Sequence, residues 1–175
     1  MQNQIKPFIK WAGGKQKLLE NIRTTYPQNI IRYCEPFVGG GAVLLDILEH
    51  YAPKEVLIND INPELINAYL QVQKNPEDLI LHLNGLQKCF LSAVPEIRRQ
   101  IYLEKRTRFN RLLSESDAKY ACEKAALFIF LNKTCFNGLY RVNQKGEYME
   151  HLYSIQDLEQ GILLSSIGGR IPRPL

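Results

Sequence analysis

The 175-residue sequence has no long apolar run, because no stretch approaches the ~20 residues that a membrane-spanning helix requires. Its N-terminal stretch, MQNQIKPFIK, also lacks the apolar segment of a secretory signal peptide. These two absences argue against a membrane or secreted protein. We therefore expect a cytoplasmic protein with no membrane partner.

Cysteines are few and far apart: Cys34, Cys89, Cys122 and Cys135 form no C-x-x-C pair. Structural zinc sites and disulfide frameworks need closer, repeated spacings. We therefore expect buried free thiols and no metal site. The charge is also only mildly biased, with 22 Lys and Arg residues against 18 Asp and Glu residues. Such a balance permits a polyanionic partner without requiring one.

What the sequence does contain is an alternation of helix and strand patterns. KLLENIRTTY places Leu18, Leu19 and Ile22 on one helical face, IIRYCEPF is typical of a short buried strand, AVLLDILEHY of a helix and EVLIND of a second strand. NPELINAYLQVQ predicts a helix capped by Asn62. This order is typical of an α/β fold with a parallel sheet. A second Asn-Pro start, at Asn75, opens a mainly helical stretch, and FNGLYRVNQKGEYM then predicts a hairpin or loop excursion.

The first glycine motif is KWAGGKQKLL, near the N-terminus. A phosphate-binding Walker A loop is G-x-x-x-x-G-K-[S/T]. With Gly14 and Lys15 as the G-K pair, the first glycine and the hydroxyl residue would fall on Ile9 and Gln16, and both positions fail. The motif alone therefore favours a glycine turn that caps a helix.

The second glycine motif, EPFVGGG at residues 35–41, follows a strand and opens a helix. Glycines there let the backbone approach a ligand closely and leave the helix N-terminus facing it. Asp60 ends the next strand, about 20 residues further on, where an acidic residue can bind a ribose hydroxyl. NAD and S-adenosylmethionine (SAM) both suit such a site. The G-x-G-x-x-G fingerprint is incomplete, because Leu44 stands at its third glycine, so a cofactor without a pyrophosphate fits better.

Four blocks, in this order, resemble the Dam-type DNA adenine-N6 methyltransferases: PFIKWAGGKQKLL, EPFVGGGAVLLDI, INDINPELINAY and LNKTCFNGLYRVNQKGEY. The resemblance covers residues 7–148. It implies an α/β fold, namely a partial Rossmann-like SAM-dependent methyltransferase sheet with an inserted, mainly helical DNA-recognition region. It divides the chain into a SAM-binding α/β portion (1–75), a helical DNA-recognition region with a hairpin (76–150) and an atypical tail (151–175).

The resemblance also implies the cofactor and its site. An indole face can lie against the sulfonium cation of SAM, a lysine can pair with its carboxylate, and an aspartate can hold its ribose hydroxyls. The implied cofactor residues are Trp11, Gly14, Lys15, Pro36, Phe37, Gly39 and Asp60. The alternatives are a core tryptophan at Trp11 and a solvated helix start at Lys15.

FNGLYRVNQKG falls where the family carries its DNA-recognition hairpin, so the resemblance implies double-stranded DNA as the partner. Arginine suits bidentate contact with a guanine, which makes Arg141 the candidate base reader. The implied DNA-binding residues are Asn137, Leu139, Arg141, Asn143 and Lys145. A plain surface hairpin is the alternative. The basic helix that contains Arg98, Arg99, Lys105, Arg106, Arg108 and Arg111 could contact phosphates or form a solvated face.

The family's catalytic motif is of the D-P-P-Y type, and this sequence contains no two adjacent prolines. We therefore expect no catalytic residues here, but a shortened methyltransferase or the first half of a split enzyme, with a second chain supplying the missing half. The first strand would then lie at an open sheet edge and favour aggregation. Two alternatives stay open: a non-catalytic DNA-binding or regulatory remnant of such an enzyme, and an NAD-type oxidoreductase.

Overall fold

The computed structural model describes residues 6–149. In this part of the chain the strands are β1 (Arg32–Glu35) and β2 (Glu55–Ile58), and the α-helices are α1 (Leu19–Arg23), α2 (Ala42–His50), α3 (Pro63–Lys74), α4 (Pro76–Leu91), α5 (Pro95–Leu113) and α6 (Ala121–Thr134). Short 3₁₀ turns occupy Lys15–Leu18, Ala118–Tyr120 and Phe136–Gly138. The fold is mixed α/β and mostly helical. The atypical tail predicted for 151–175 lies outside the described residues.

The two strands pair in parallel, as the helix–strand alternation predicts, with Arg32 opposite Glu55 and Glu35 opposite Ile58. The prediction of a buried first strand was wrong. Ile31 and Leu57 expose 56% and 65% of their surfaces, and Glu35 is the buried residue of β1. The reason is that the apolar core lies among the helices. Within residues 6–149 the outer edge of each strand is unpaired.

The core is built around α6. Residues 125–131 of this helix are all buried, because α3, α4 and α5 pack around it. A helix that is apolar on every face is typical of such a central position. Aromatic rings supply much of the contact, with Phe90 edge-on to Phe130 at 5.3 Å and Phe109 stacked on Phe128 at 6.1 Å between ring centroids.

The Asn62 cap predicted for α3 is confirmed. Its side-chain oxygen accepts hydrogen bonds from the backbone N–H groups of Glu64 at 2.9 Å and Leu65 at 3.0 Å. Asn75 is different, because its side chain does not cap α4. It donates instead to the side-chain oxygen of Gln71, 2.7 Å away, because the same residue ends α3.

Two further predictions were partly wrong: the shared helical face of Leu18, Leu19 and Ile22, and the burial of the four cysteines. Leu19 is buried, but Leu18 is 54% exposed, because residues 15–18 form a 3₁₀ turn that does not continue the α-helical face. The four cysteines are free thiols, yet of these Cys135 is buried whereas Cys34 and Cys89 are exposed. Cys34 is exposed because, within residues 6–149, no other layer covers β1. Across residues 6–149, no helix is long and apolar enough to cross a membrane, and no group of His, Cys, Asp and Glu could hold a metal ion.

Candidate cofactor pocket and DNA-facing hairpin

The glycine turn between β1 and α2 has a fixed, left-handed geometry. Gly39 and Gly41 have φ angles of +50° and +74°, which side-chain-bearing residues rarely adopt. The turn is tied to the end of β2, because the N–H of Val38 donates to the carbonyl of Asn59 at 2.9 Å. The sequence therefore folds here into a tight concave bend directly before the N-terminus of α2.

This bend forms one side of an open cleft, whose empty volume of about 570 Å³ includes space that is continuous with solvent. The other side is the segment around the Gly-Gly-Lys motif. Among the residues predicted to bind a cofactor, those that line the cleft are Trp11, Gly14, Lys15, Phe37, Gly39 and Asp60. Pro36 is exposed and is not among the lining residues. The structure thus brings together two motifs that are over 20 residues apart in the sequence.

Asp60 holds the turn in place. One carboxylate oxygen accepts the N–H of Gly39 at 3.0 Å, and the other accepts the N–H of Asn62 at 3.0 Å. A carboxylate has about four acceptor positions, so it keeps capacity for ligand hydroxyls at the cleft. The sequence analysis predicted only that Asp60 binds the ribose hydroxyls of a ligand. Its second role, joining the glycine turn to the start of α3, was not predicted.

Trp11 forms a wall of the cleft and also contacts the interior. A Cβ on Gly39 would lie 3.0 Å from the indole, so glycine permits this close approach. On its other side, the indole stacks on Tyr140 with a centroid distance of 6.0 Å and an interplanar angle of 25°, and Phe128 lies 6.3 Å away. Trp11 is therefore half-buried: it lines the cleft and also packs against the aromatic core, as the alternative of a core tryptophan expects.

Glu35 is the ionisable residue of the cleft lining that the sequence analysis did not predict. It is buried at the end of β1, accepts the hydroxyl of Tyr33 at 2.8 Å and lies 3.9 Å from the ammonium of Lys15. Burial raises the pKa of its carboxyl group above the ordinary value, although Tyr33 and Lys15 oppose the shift. An acidic residue at a strand end, directly before a glycine run, was the signal that could have identified it.

The cleft therefore offers charges of both signs. Glu35 and Asp60 are acceptors for cationic groups or hydroxyls, whereas Lys15 can pair with a carboxylate. Such a donor set suits a ligand that has a sugar, a cationic centre and an amino-acid group. It suits a pyrophosphate poorly, because two of its three ionisable groups are acids.

The predicted hairpin is present at residues 141–149. The N–H of Met149 donates to the carbonyl of Arg141, and Val142 bridges to Tyr148 in antiparallel fashion. The turn is closed by Asn143, whose side-chain oxygen accepts the N–H groups of Lys145 and Glu147 at 2.9 and 3.0 Å. The Asn-Gly pair at 137–138 does not form the hairpin turn, but lies in a 3₁₀ turn before it.

The residues predicted to bind DNA thus lie on one short segment, in different environments. Asn137, Arg141 and Lys145 are exposed, and Asn137 has a φ of +56°. Leu139 is half-buried, and Asn143 uses its side chain within the turn. Exposed polar side chains on a turn are accessible to a large partner.

The basic helix α5 is less available to phosphates than its composition suggests. Arg98 donates to the carbonyls of residues 90, 91 and 93 and closes the end of α4. Arg108 forms a bidentate pair with Glu123, with distances of 2.8 and 2.7 Å. Both arginines are therefore structural. Arg99 and Arg111 are the exposed arginines of this helix.

Together these features define a mixed α/β protein with an open cleft at a glycine turn and a polar hairpin beside its helical core. D12 class N6 adenine-specific DNA methyltransferases match residues 11–152. The chain belongs to this family.

Named relatives support this assignment to the family. The chain is 46% identical, over 150 residues, to the Type II methyltransferase M.MjaIII of Methanocaldococcus jannaschii, and the match covers 83% of this chain and 51% of that protein. It is 38% identical to the Type II methyltransferase M1.LlaDCHI of Lactococcus lactis subsp. cremoris, with 82% and 46% covered. It is 32% identical to the DNA adenine methylase of Escherichia coli K12, again with 82% and 46% covered. The chain thus spans about half the length of the curated relatives it matches.

Proposed function

We propose that this chain is the cofactor- and DNA-binding part of an enzyme that transfers a methyl group from SAM to N6 of adenine in duplex DNA. The observation that carries the proposal is the cleft, where the Lys-Trp-Ala-Gly-Gly-Lys segment faces the glycine turn. Family membership supports the reaction class. A cytoplasmic location is consistent with DNA as the substrate.

The residues that line the cleft fit SAM by their chemistry. Gly39 and Gly41 leave room where any side chain would intrude on Trp11 or Tyr69. In the proposal, Trp11 and Phe37 contact the cofactor through their rings, Gly14 and Pro36 shape the bend, Lys15 binds the carboxylate, and Asp60 accepts from the ribose. We add Glu35 to this set, as an acceptor for the amino group. When bound, SAM would supply an electrophilic methyl group.

The DNA contact is assigned to the segment from Asn137 to Lys145. Arg141 is exposed on the first arm of the hairpin, where its fork of N–H donors suits a guanine edge. Asn137 and Leu139 precede it at the 3₁₀ turn, and Asn143 and Lys145 follow. In this division residues 1–75 form the SAM-binding portion of a Rossmann-like sheet, and residues 76–150 form the DNA-recognition region.

A second chain is proposed to supply the D-P-P-Y-type residues, which this sequence lacks. One observation supports this: within residues 6–149, the apolar residues Ile31 and Leu57 are exposed on the two-stranded sheet, and the outer edge of each strand is unpaired. Unpaired strand edges favour pairing with further strands.

The decisive experiment measures transfer of a tritium-labelled methyl group from SAM to unmethylated duplex DNA. We expect no transfer by the chain alone, and transfer to adenine once the remaining half of M.MjaIII is added as a separate polypeptide. Leu57→Lys should reduce this complementation. Leu81→Lys, at a leucine of α4 that is 71% exposed, is the matched control and should not. Transfer by the chain alone would overturn the two-chain proposal and retain the activity.

The second candidate is a non-catalytic DNA-binding remnant, which the missing proline pair favours. SAM and NAD are compared for protection against thermal unfolding, and DNA binding is measured with and without SAM. DNA binding that does not depend on SAM, with no thermal protection by SAM, would favour the remnant. Protection by NAD alone would contradict both candidates.

A further inference from the structure

Asn132, near the end of α6, is buried to 2% exposure and bonds to two distant segments. Its side-chain nitrogen donates to the carbonyls of Lys10 and Gly138, at 2.8 Å in each case. Its side-chain oxygen accepts the N–H of Lys10 at 2.9 Å. Both donors and the acceptor of the carboxamide are therefore used, which only an amide side chain allows.

The two segments held by Asn132 also touch each other. A Cβ on Gly138 would overlap the Cβ of Lys10 and lie 2.8 Å from its Cδ, so glycine is needed at this position, where φ is +64°. One residue beyond Lys10, the indole of Trp11 stacks on Tyr140, two residues beyond Gly138. The contact thus consists of a hydrogen-bonded amide, a close backbone approach and a ring stack, side by side.

Each of the two segments adjoins a residue that is proposed above to contact a ligand. Lys10 precedes Trp11, which lines the cofactor cleft. Gly138 lies between Asn137 and Leu139, in the segment assigned to DNA. A buried amide that merely anchored a loop would need hydrogen bonds to only one of these two segments. Here a single side chain fixes the distance between the cleft wall and the DNA-facing turn.

We propose that Asn132 is a positioning residue that transmits displacements between residues 10–15 and residues 136–141, and so couples occupancy of the cofactor cleft to DNA binding. The coupling between ligands rests on the proposed function. The mechanical link does not, because it exists in the ligand-free chain. Coupling between two sites in proteins typically changes affinity about 5–150-fold and is reciprocal.

The mechanical link is tested on the full chain without ligand. Trp11 is the single tryptophan, so its fluorescence reports on the cleft wall alone. Asn132→Asp keeps the acceptor but loses both donated bonds, and Gly138→Ala displaces Lys10. Both variants should shift the fluorescence emission maximum of Trp11. Both should also speed amide hydrogen exchange in residues 8–14 and in residues 136–141 at the same time.

Matched controls separate this from general damage. Asn67→Asp loses one donated bond, to the carbonyl of Ala121 at the start of α6. Gly146→Ala introduces the same kind of backbone strain, at φ +78°, with nothing within 4 Å of the new Cβ. Neither control should move the Trp11 emission. If Asn132→Asp and Asn67→Asp gave the same spectrum and the same exchange pattern, the link would be overturned.

The ligand coupling is tested by measuring SAM affinity with and without unmethylated duplex DNA. In the unmodified chain we expect DNA to change SAM affinity at least fivefold, and in Asn132→Asp the ratio should approach one while the helical signal is retained. A merely structural role would weaken both affinities and leave their ratio unchanged, which would overturn the coupling. If the unmodified chain binds neither SAM nor DNA, the proposed function fails for this chain, and the ligand-free comparison alone decides the link.

Discussion

The hydroxyl of Tyr69 occupies the space where a Cβ on Gly41 would lie, and it donates a hydrogen bond to the carbonyl of Gly39 at 2.9 Å. A side chain of α3 thus fills the underside of the glycine turn. Burial raises the pKa of the Tyr69 phenol, with Glu35 and Asp60 adding to the shift, so the hydroxyl stays protonated as a donor. The turn needs glycine for two separate reasons, its φ angle and its contact with Tyr69.

Gly41→Ala should destabilise the protein by about 3 kcal/mol, because overpacking adds to the 1–2 kcal/mol of left-handed strain. Gly13→Ala is the matched control, with the same φ of +74° but nothing within 4 Å of the new Cβ. It should cost only the strain, about 1 kcal/mol. Denaturant unfolding measures both changes. Equal costs would show that Tyr69 does not restrict position 41.

A double-mutant cycle with Tyr69→Phe tests the same contact from the other side. Removing the hydroxyl leaves the nearest ring carbon 3.2 Å from the new Cβ. Gly41→Ala should therefore cost less in the Tyr69→Phe background, although Tyr69→Phe itself loses about 1 kcal/mol with its hydrogen bond. Strict additivity of the two substitutions would contradict the steric explanation.

Glu35 gives the cleft a pH dependence whose sign follows from burial. Because burial raises its pKa in the folded state, the folded protein holds the proton more tightly than the unfolded chain does. The contribution of Glu35 to stability is therefore largest at acid pH, and it falls as pH rises from the ordinary value of 4.5 through the raised folded pKa. Glu35→Gln should remove this fall, so that the variant becomes more stable than the unmodified chain towards neutral pH.

The measurement is the melting temperature of both proteins across that pH range, without ligand. Glu20→Gln, at an exposed glutamate of α1, is the control for the loss of one negative charge. It should shift the melting curve little at any pH. A Glu35→Gln profile parallel to that of the unmodified chain would show that Glu35 is not desolvated.

The contribution of Asp46 to stability depends on pH with the opposite sign to that of Glu35. Burial alone would raise its pKa, but hydrogen bonds from Arg23 and the charge of Arg23 outweigh burial and lower it below 3.8. Its contribution to stability is present above the unfolded pKa and is lost as pH falls through the folded one. Asp46→Asn should cost about 1–3 kcal/mol at neutral pH, and this cost should shrink at strongly acid pH.

The exposed pair of Arg32 and Glu55 provides the comparison for Asp46. Their nitrogen and oxygen lie 2.9 Å apart, but both side chains are more than half exposed. Glu55→Gln should therefore cost at most about 0.5 kcal/mol. Denaturant unfolding at neutral pH separates the two cases. A cost for Glu55→Gln equal to that of Asp46→Asn would contradict the argument from burial.

Features whose causes lie within a few residues of each other in the sequence could be predicted from the sequence. The Asn62 cap, the glycine turn after a strand and the hairpin at residues 141–149 all have local causes. The sequence could not predict that Asn75 would turn back to Gln71, or that Arg98 and Arg108 would be used within the helical core. Those outcomes depend on which helices pack against each other in the folded protein.

The cleft with its proposed cofactor site was predictable to a similar extent. The resemblance supplied its residues, and six of the seven line one cleft, which the chemistry of any single motif would not have revealed. Glu35 was missed because an acidic residue at a strand end is ambiguous until its burial is known. The exposure of β1 was missed because a run of apolar residues shows only that a strand can be buried.

Gly85 offers a simple gain in stability. It lies inside α4, is exposed and has open space around the position of a Cβ. Gly85→Ala should stabilise the protein by about 0.5–1 kcal/mol, because alanine loses less backbone freedom on folding. Thermal and denaturant unfolding should both show the gain. A loss of stability would contradict the argument from backbone freedom.

The hydrogen bonds between Lys10 and Asn132 join residues 122 positions apart. A ribosome makes the chain from its N-terminus, so Lys10 and Trp11 are made well before α6 and Tyr140. The hydrogen bonds of Lys10 with Asn132 and the stacking of Trp11 on Tyr140 can therefore form only after α6 has been made. Closing so long a loop is also entropically costly and slow. This part of the cleft wall, although made well before α6, therefore acquires its contacts with the helical core late.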